Sequence, residues 1–331
     1  MSYRIAVDAM GGDNAPGAIV RGALQALEDH TDYELFLVGD EKLVCDELDA
    51  VGPASRERIH VVHASQRVAM DESPVEALRT KKDSSLLRMV NLAIEGGVDA
   101  VVSAGNTGAC AAAAQLKLRP LPCVSRPGIA VTIPSFQRPF VLCDVGANIQ
   151  AKPQHLYQYG IMAAIYSKTV LGTERPRVGL LSVGEESRKG TELVKETHEL
   201  LHQDESIDFV GNVEGRDLFH DKCDVAVCDG FVGNIVLKFV EGLAEGLFDT
   251  IAHEFEDETP TAKEKFDAAL KRVWSRHDYS EYGGAPLLGI DGVCIICHGR
   301  SGERAIRNAV RVAATFVQHG LSRMIAERLG S

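Results

Sequence analysis

Short β-branched runs alternate with longer stretches of helical periodicity along the whole chain, and this alternation constrains the fold more than any other feature. The runs cover residues 4–8, 34–38, 59–63, 100–103, 128–133, 140–143, 177–182, 209–213, 225–228 and 293–297. Most are continuously apolar, as strands are when both faces of a parallel sheet are covered. Helical stretches follow nearly every run, so the sequence predicts an α/β fold. No low-complexity linker divides the chain, and residues 1–331 read as a single unit of one or two lobes. No apolar run reaches the ~18 residues of a membrane-spanning helix. The first residues, MSYRIAVD, read as a strand and not as a signal peptide. Eight cysteines in such a chain read as reduced thiols of a cytoplasmic protein.

Glycine is abundant, at 31 residues, and it clusters where the strands end. The turns are 8–16 (with Asp8, Gly11, Gly12 and Asn14), 103–108 (Ser103, Asn106, Thr107, Gly108) and 144–148 (Asp144, Asn148). The others are 182–190 (Glu185, Lys189), 211–217 (Asn212) and 229–234 (Asp229, Gly230, Asn234). Glycine lets backbone approach a ligand closely, and a helix starting just beyond offers free N–H groups and a positive dipole end. One such turn merely reverses the chain. Six of them, each carrying polar residues, favour a shared site at the carboxyl ends of the strands. Neither the Walker spacing nor GxGxxG is present, so no nucleotide fingerprint is assigned. The turns supply amides and carboxylates, and Lys189 and Lys238 are the two candidate cations; no Ser-His-Asp set accompanies them. Donors and a lysine suit the binding of one oxyanion and the stabilisation of a second that develops on a carbonyl. That is the chemistry of acyl transfer to or from phosphate. Residues 99–108 and 224–233 also echo each other, each a buried strand, a glycine turn and a helix start.

The segments VDAMGGDNAP (7–16), SAGNTGA (103–109), DVGAN (144–148), SVGEE with KG (182–190), GNVEGRD (211–217), CDGFVGN (228–234) and GAPLLGIDGVCIICHG (284–299) occur in this order. Through them the chain resembles, over essentially its whole length, the bacterial phosphate acyltransferase family of phospholipid synthesis (PlsX). The resemblance implies a three-layer α/β/α fold with a mostly parallel sheet, similar to that of phosphate acetyltransferases and isopropylmalate dehydrogenases, with a projecting helical hairpin. It implies transfer of a long-chain acyl group from acyl carrier protein to inorganic phosphate; no cofactor and no metal ligands are assigned, and a role for magnesium is left open. A membrane-bound glycerol-3-phosphate acyltransferase would consume the acyl phosphate. It also implies a homodimer, cytoplasmic but associated with the inner face of the membrane. Phosphate oxygen can attack a thioester directly, so no acyl-enzyme is required. Lys189 and Asn234 are the expected catalytic residues, holding phosphate or the thioester oxyanion. Asn14, Asn106, Thr107 and Asn148 are expected to bind phosphate or pantetheine. Asp8, Asp144, Glu185 and Asp229 are expected to orient Lys189 or accept a proton. Gly11, Gly12, Ser103, Gly108, Asn212 and Gly230 complete the expected binding set. Two other readings are a short-chain phosphate acyltransferase using acyl-CoA and a non-catalytic acyl-carrier-binding scaffold.

His198-Glu199-Leu200-Leu201-His202 matches the HExxH pattern of zinc hydrolases. No third ligand follows at a familiar spacing, Glu214 being an imperfect candidate, so this reading is remote. Residues 294–298 match CxxCH, but on a strand Cys294 and Cys297 point to opposite faces. The hairpin is expected at about 236–276, with Val240, Leu243, Leu247, Ile251 and Phe255 striping its first helix and Phe266, Leu270, Val273 and Trp274 its second. An acidic enzyme with an acidic carrier protein needs concentrated positive charge. Lys and Arg total 35 against 47 Asp and Glu, a net charge of −12, which also argues against a nucleic-acid partner. The clusters are Arg300, Arg304, Arg307 and Arg311, and Lys263, Lys265, Lys271, Arg272 and Arg276.

Overall fold

The predicted runs become strands of one 11-stranded sheet in a computed structural model, which describes residues 2–52, 56–255, 266, 268–269, 272–273 and 279–330. In chain order the elements are β1 (Tyr3–Asp8), α1 (Gly17–Asp29), β2 (Tyr33–Gly39), α2 (Glu41–Val51), β3 (Ile59–His63), α3 (Pro74–Thr80), α4 (Ser85–Ile94) and β4 (Ala100–Ser103). Then follow α5 (Thr107–Lys117), β5 (Gly128–Ile133), β6 (Phe140–Cys143), α6 (Pro153–Val170), β7 (Arg177–Leu181), α7 (Glu192–Gln203), β8 (Asp208–Val213), β9 (Val225–Val227) and α8 (Gly230–Glu254). The chain closes with β10 (Ala285–Leu288), β11 (Cys294–Ile296), α9 (Glu303–His319) and α10 (Leu321–Leu329).

The strand order is β3-β2-β1-β4-β11-β10-β5-β6-β9-β7-β8. Both ends of the sheet are parallel, but β11–β10, β10–β5 and β5–β6 pair antiparallel. The two parallel blocks therefore run in opposite directions. The shared carboxyl edge expected from the sequence is in fact two edges. Alternation along each strand covers both faces: Ile5 and Val7 join one core with α1, α6 and α9, while Ala6 joins the other with α3, α4 and α5. This is the three-layer α/β/α arrangement. The apolar pattern marked every strand except β10, where Pro286, lacking an N–H, argues against a central strand.

The internal echo is structural. Arg4 opens β1 and grips Asp99, with its backbone N and Nε to Oδ2 (2.9 and 3.2 Å) and Nη2 to Oδ1 (2.7 Å). Arg177 opens β7 and grips Asp224 with the same three donors, at 2.9, 2.9 and 3.1 Å. Each Asp precedes the neighbouring strand of its block, β4 or β9. Burial pushes the Asp224 carboxyl up, but Arg177 outweighs it and holds it below its ordinary value. Its stabilising contribution is complete above its unfolded value of ~4 and is lost as pH falls through the folded one. Arg177→Ala is expected to cost about 2–3 kcal/mol in urea denaturation at pH 7. That is below the loss for a fully buried pair, because the Arg177 side chain is 28% exposed. Arg4→Ala should cost less, since its pair is more exposed on both sides.

α8 covers the first stripe of the expected hairpin, and Phe255 stacks on Phe266 with ring centroids 3.6 Å apart. Leu270, Trp274, Lys263, Lys265, Lys271 and Arg276 lie outside the described residues. Leu243 and Leu247 do not face the core: they are exposed, in line with Phe231, Ile235 and Phe239. Val236, Leu237 and Val240 instead pack against the sheet side. Among the described residues, no helix is long and apolar enough to cross a membrane. The expected arginine face is largely committed: Arg304 pairs with Glu281, Arg307 with Asp29 at 2.5 Å, and Arg311 donates to the Glu281 carbonyl.

Candidate active site

The two carboxyl edges meet at a cavity of about 330 Å³ over the antiparallel strands β5 and β10. Ile129, Val131, Ile296 and Ala285 give it apolar walls. One block contributes Thr107, the first residue of α5, with His298 and Ser301 from beyond β11. The other contributes Gly146 and the α8 residues Asn234, Leu237, Lys238 and Glu241, spaced on one helical face.

The local sequence holds this frame in place. Asp144 is fully buried and its carboxylate accepts four backbone N–H bonds, from Ile129, Gly146, Ala147 and Asn148 (2.7–3.1 Å). Burial nonetheless pushes its pKa up, against those four donors. Asp229 caps α8, accepting from Phe231 and Val232 N–H. Gly230 and Gly233 let α8 lie directly on the Asp144 turn: a Cβ on Gly233 would stand 1.9 Å from the Asp144 carbonyl oxygen. In the other block, buried Asp8 accepts from Ser103 Oγ at 2.8 Å, and burial raises its pKa. Gly11 and Gly12 allow the close approach of Gly105 and Ala104. Both aspartates therefore organise turns from the interior, and neither lines the cavity.

The asparagines separate sharply. Asn14 donates to the Arg300 and Ser301 carbonyls. Asn106 donates to three carbonyls of residues 69–72 and caps α5 through Ala109 N–H. Asn148 donates to Pro127 O and Tyr159 Oη. Asn212, 2% exposed, donates to the Glu186 carbonyl at 2.9 Å. The Asn234 side chain lines the cavity with no hydrogen bond to any described residue. These four amides hold the scaffold, and only the fifth lines the cavity with its amide uncommitted.

Lys189 and Glu185 stand apart from the cavity lining. Both are exposed on the turn after β7, and Glu185 pairs with Lys222 at 2.5 Å. The Lys189 ammonium has no partner among the described residues. Because β9 lies between β6 and β7, this turn shares a sheet edge with the turns of Asp144 and Asn234. Lys238 Nζ donates to Glu241 at 2.8 Å and lies 3.3 Å from His298 Nε2. His298 Nδ1 accepts from Arg300 N–H. Burial, reinforced by Lys238, lowers the His298 pKa from its ordinary value and so favours the neutral imidazole. Sequence reading missed His298, Glu241 and Tyr282 as cavity residues; His298 alone left a trace, in the 284–299 segment and its CxxCH match. Cys297 lines the cavity, while Cys294 turns to the other face, its Sγ 3.7 Å from Cys110 Sγ. In the HExxH pattern, His198 Nδ1 lies 3.1 Å from Asn212 Oδ1, and the two rings stack at 6.1 Å. Among the described residues, no three His, Cys, Asp or Glu side chains gather as a metal site.

The family described as fatty acid synthesis protein matches residues 3–324. Phosphate acyltransferase of Halothermothrix orenii is 46% identical over 329 residues, covering 98% of each chain. Phosphate acyltransferase of Nitratidesulfovibrio vulgaris is 44% identical over 98% of this chain and 94% of its own. Among solved structures, a phosphotransacetylase from Streptococcus pyogenes superposes with a TM-score of 0.66 at 15% identity, covering 96% of this chain and 94% of its own. A phosphotransacetylase from Staphylococcus aureus gives 0.62 over the same shares, also at 15%. These two share the fold.

Proposed function

The chain belongs to the phosphate acyltransferase family, and from that premise we propose that it moves a long-chain acyl group from the thioester of acyl carrier protein to inorganic phosphate. The observation that carries this reading is the uncommitted Asn234 amide beside the Lys238 ammonium in a cavity with apolar walls. A phosphate oxygen attacks the thioester carbonyl and a C–O bond forms. The carbonyl oxygen becomes an oxyanion, which the Asn234 N–H stabilises. The C–S bond then breaks, its electron pair leaves on sulfur, and the proton carried by hydrogen phosphate ends on the thiol. Lys189, on the same edge, holds phosphate. The amino end of α5 at Thr107 adds unpaired backbone N–H groups suited to an anion. Asp8, Asp144, Asp229 and the four committed asparagines act by keeping this frame rigid.

The acyl phosphate then feeds a membrane-bound glycerol-3-phosphate acyltransferase. A cytoplasmic homodimer resting on the inner face of the membrane is the matching arrangement, and the exposed apolar face of α8 supports it. The test incubates the protein with acyl-acyl carrier protein and phosphate and traps acyl phosphate as hydroxamate, with acyl-CoA in parallel. Product from the carrier thioester is expected; product from short-chain acyl-CoA alone would replace the donor assignment. Lys189→Ala is expected to fold normally and lose product, and wild-type turnover in that variant would remove Lys189 from the mechanism.

A further inference from the structure

The carbonyl of Glu186 accepts two hydrogen bonds. One comes from the backbone N–H of Lys189 at 2.9 Å and closes the turn Glu186–Lys189. The other comes from Asn212 Nδ2, also at 2.9 Å, reaching across from β8. A carboxamide has one donor end and one acceptor end. With Nδ2 committed to Glu186, Oδ1 faces His198 Nδ1 at 3.1 Å, so that nitrogen carries the proton. The imidazole thus locks the amide against a half-turn, which would set Nδ2 against the Nδ1–H. Phe209 meets the ring edge-on at 5.0 Å and holds it in place.

We propose that His198 and Asn212 are positioning residues for acyl transfer, acting through the Glu186 carbonyl to fix the turn that presents Lys189. The first histidine of the HExxH pattern then has a task that requires no metal. Asn212 becomes a strut beneath the site, not a ligand to substrate. The assignment rests on the acyl-transfer reading for its effect on turnover, but its effect on the turn is independent of it.

The test has two readouts. His198→Leu removes the donor, and His198→Asn restores one where Nδ1 stood. In His198→Leu, amide hydrogen exchange over residues 183–190 is expected to quicken about fivefold to tenfold, as one lost hydrogen bond predicts. His198→Asn should return it close to wild type. Acyl-phosphate formation is expected to fall roughly 10- to 100-fold in His198→Leu through kcat, with KM for the acyl donor unchanged. His198→Asn should recover most of that kcat, as a positioning role for the donor requires. Unchanged exchange in His198→Leu overturns the proposal, as does wild-type kcat in a His198→Leu variant whose exchange has quickened. If exchange quickens while wild type makes no acyl phosphate, the strut stands and the acyl-transfer reading fails.

Discussion

Asn234→Ala is expected to lower acyl-phosphate formation by about 10²–10³-fold while leaving the unfolding midpoint unchanged. The magnitude is that of deleting one preorganised donor to a developing oxyanion. The unchanged stability follows from the structure, because the Asn234 amide makes no hydrogen bond to a described residue and its side chain is exposed. Asn148→Ala provides the opposite case. It removes donors to Pro127 O and Tyr159 Oη inside the frame, so it should cost stability before it costs chemistry. Loss of product in Asn234→Ala should appear in kcat, since the oxyanion exists only in the transition state. A variant with wild-type kcat would move the oxyanion to another donor.

The second large effect concerns two glycines of one helix, with opposite signs expected. Gly233→Ala should destabilise by about 3 kcal/mol or more, by overpacking in a place that cannot relax. The new Cβ would meet the Asp144 carbonyl oxygen at 1.9 Å and Cys228 Sγ at 2.9 Å, so α8 would have to leave the Asp144 turn. Gly242→Ala lies two and a half turns later in the same helix, where a Cβ meets nothing within 4 Å among the described residues. There, alanine should stabilise by up to ~1 kcal/mol through helix propensity and a less flexible unfolded chain. Chemical denaturation of both variants checks this. Equal effects at the two positions would mean that α8 does not rest on the turn as described.

Ten strands were legible because continuous β-branched runs have few alternative homes in an α/β chain. β10 was not, because Pro286 contradicts the local rule and only pairing with β5 and β11 on either side supports it. The glycine turns were legible as a group. Their division into two opposed edges was not, because strand direction depends on which runs pair, and the antiparallel centre is a long-range choice. His298 was hidden for a related reason: its neighbour Lys238 is 60 residues away on α8.

By itself the sequence determined the α/β class, the turns at the strand ends and, through their order, the family to which the chain belongs. Each of those rests on residues adjacent along the chain. Only the tertiary structure decided which polar side chains face the cavity with their amides uncommitted. An asparagine reads the same in sequence whether its amide is free or committed, and the oxygens that accept from the amide N–H groups of Asn14, Asn106, Asn148 and Asn212 lie 11 to 287 residues away. Hydrogen bonding is satisfied in space, so the distinction between Asn234 and the other four appears only once the chain has folded.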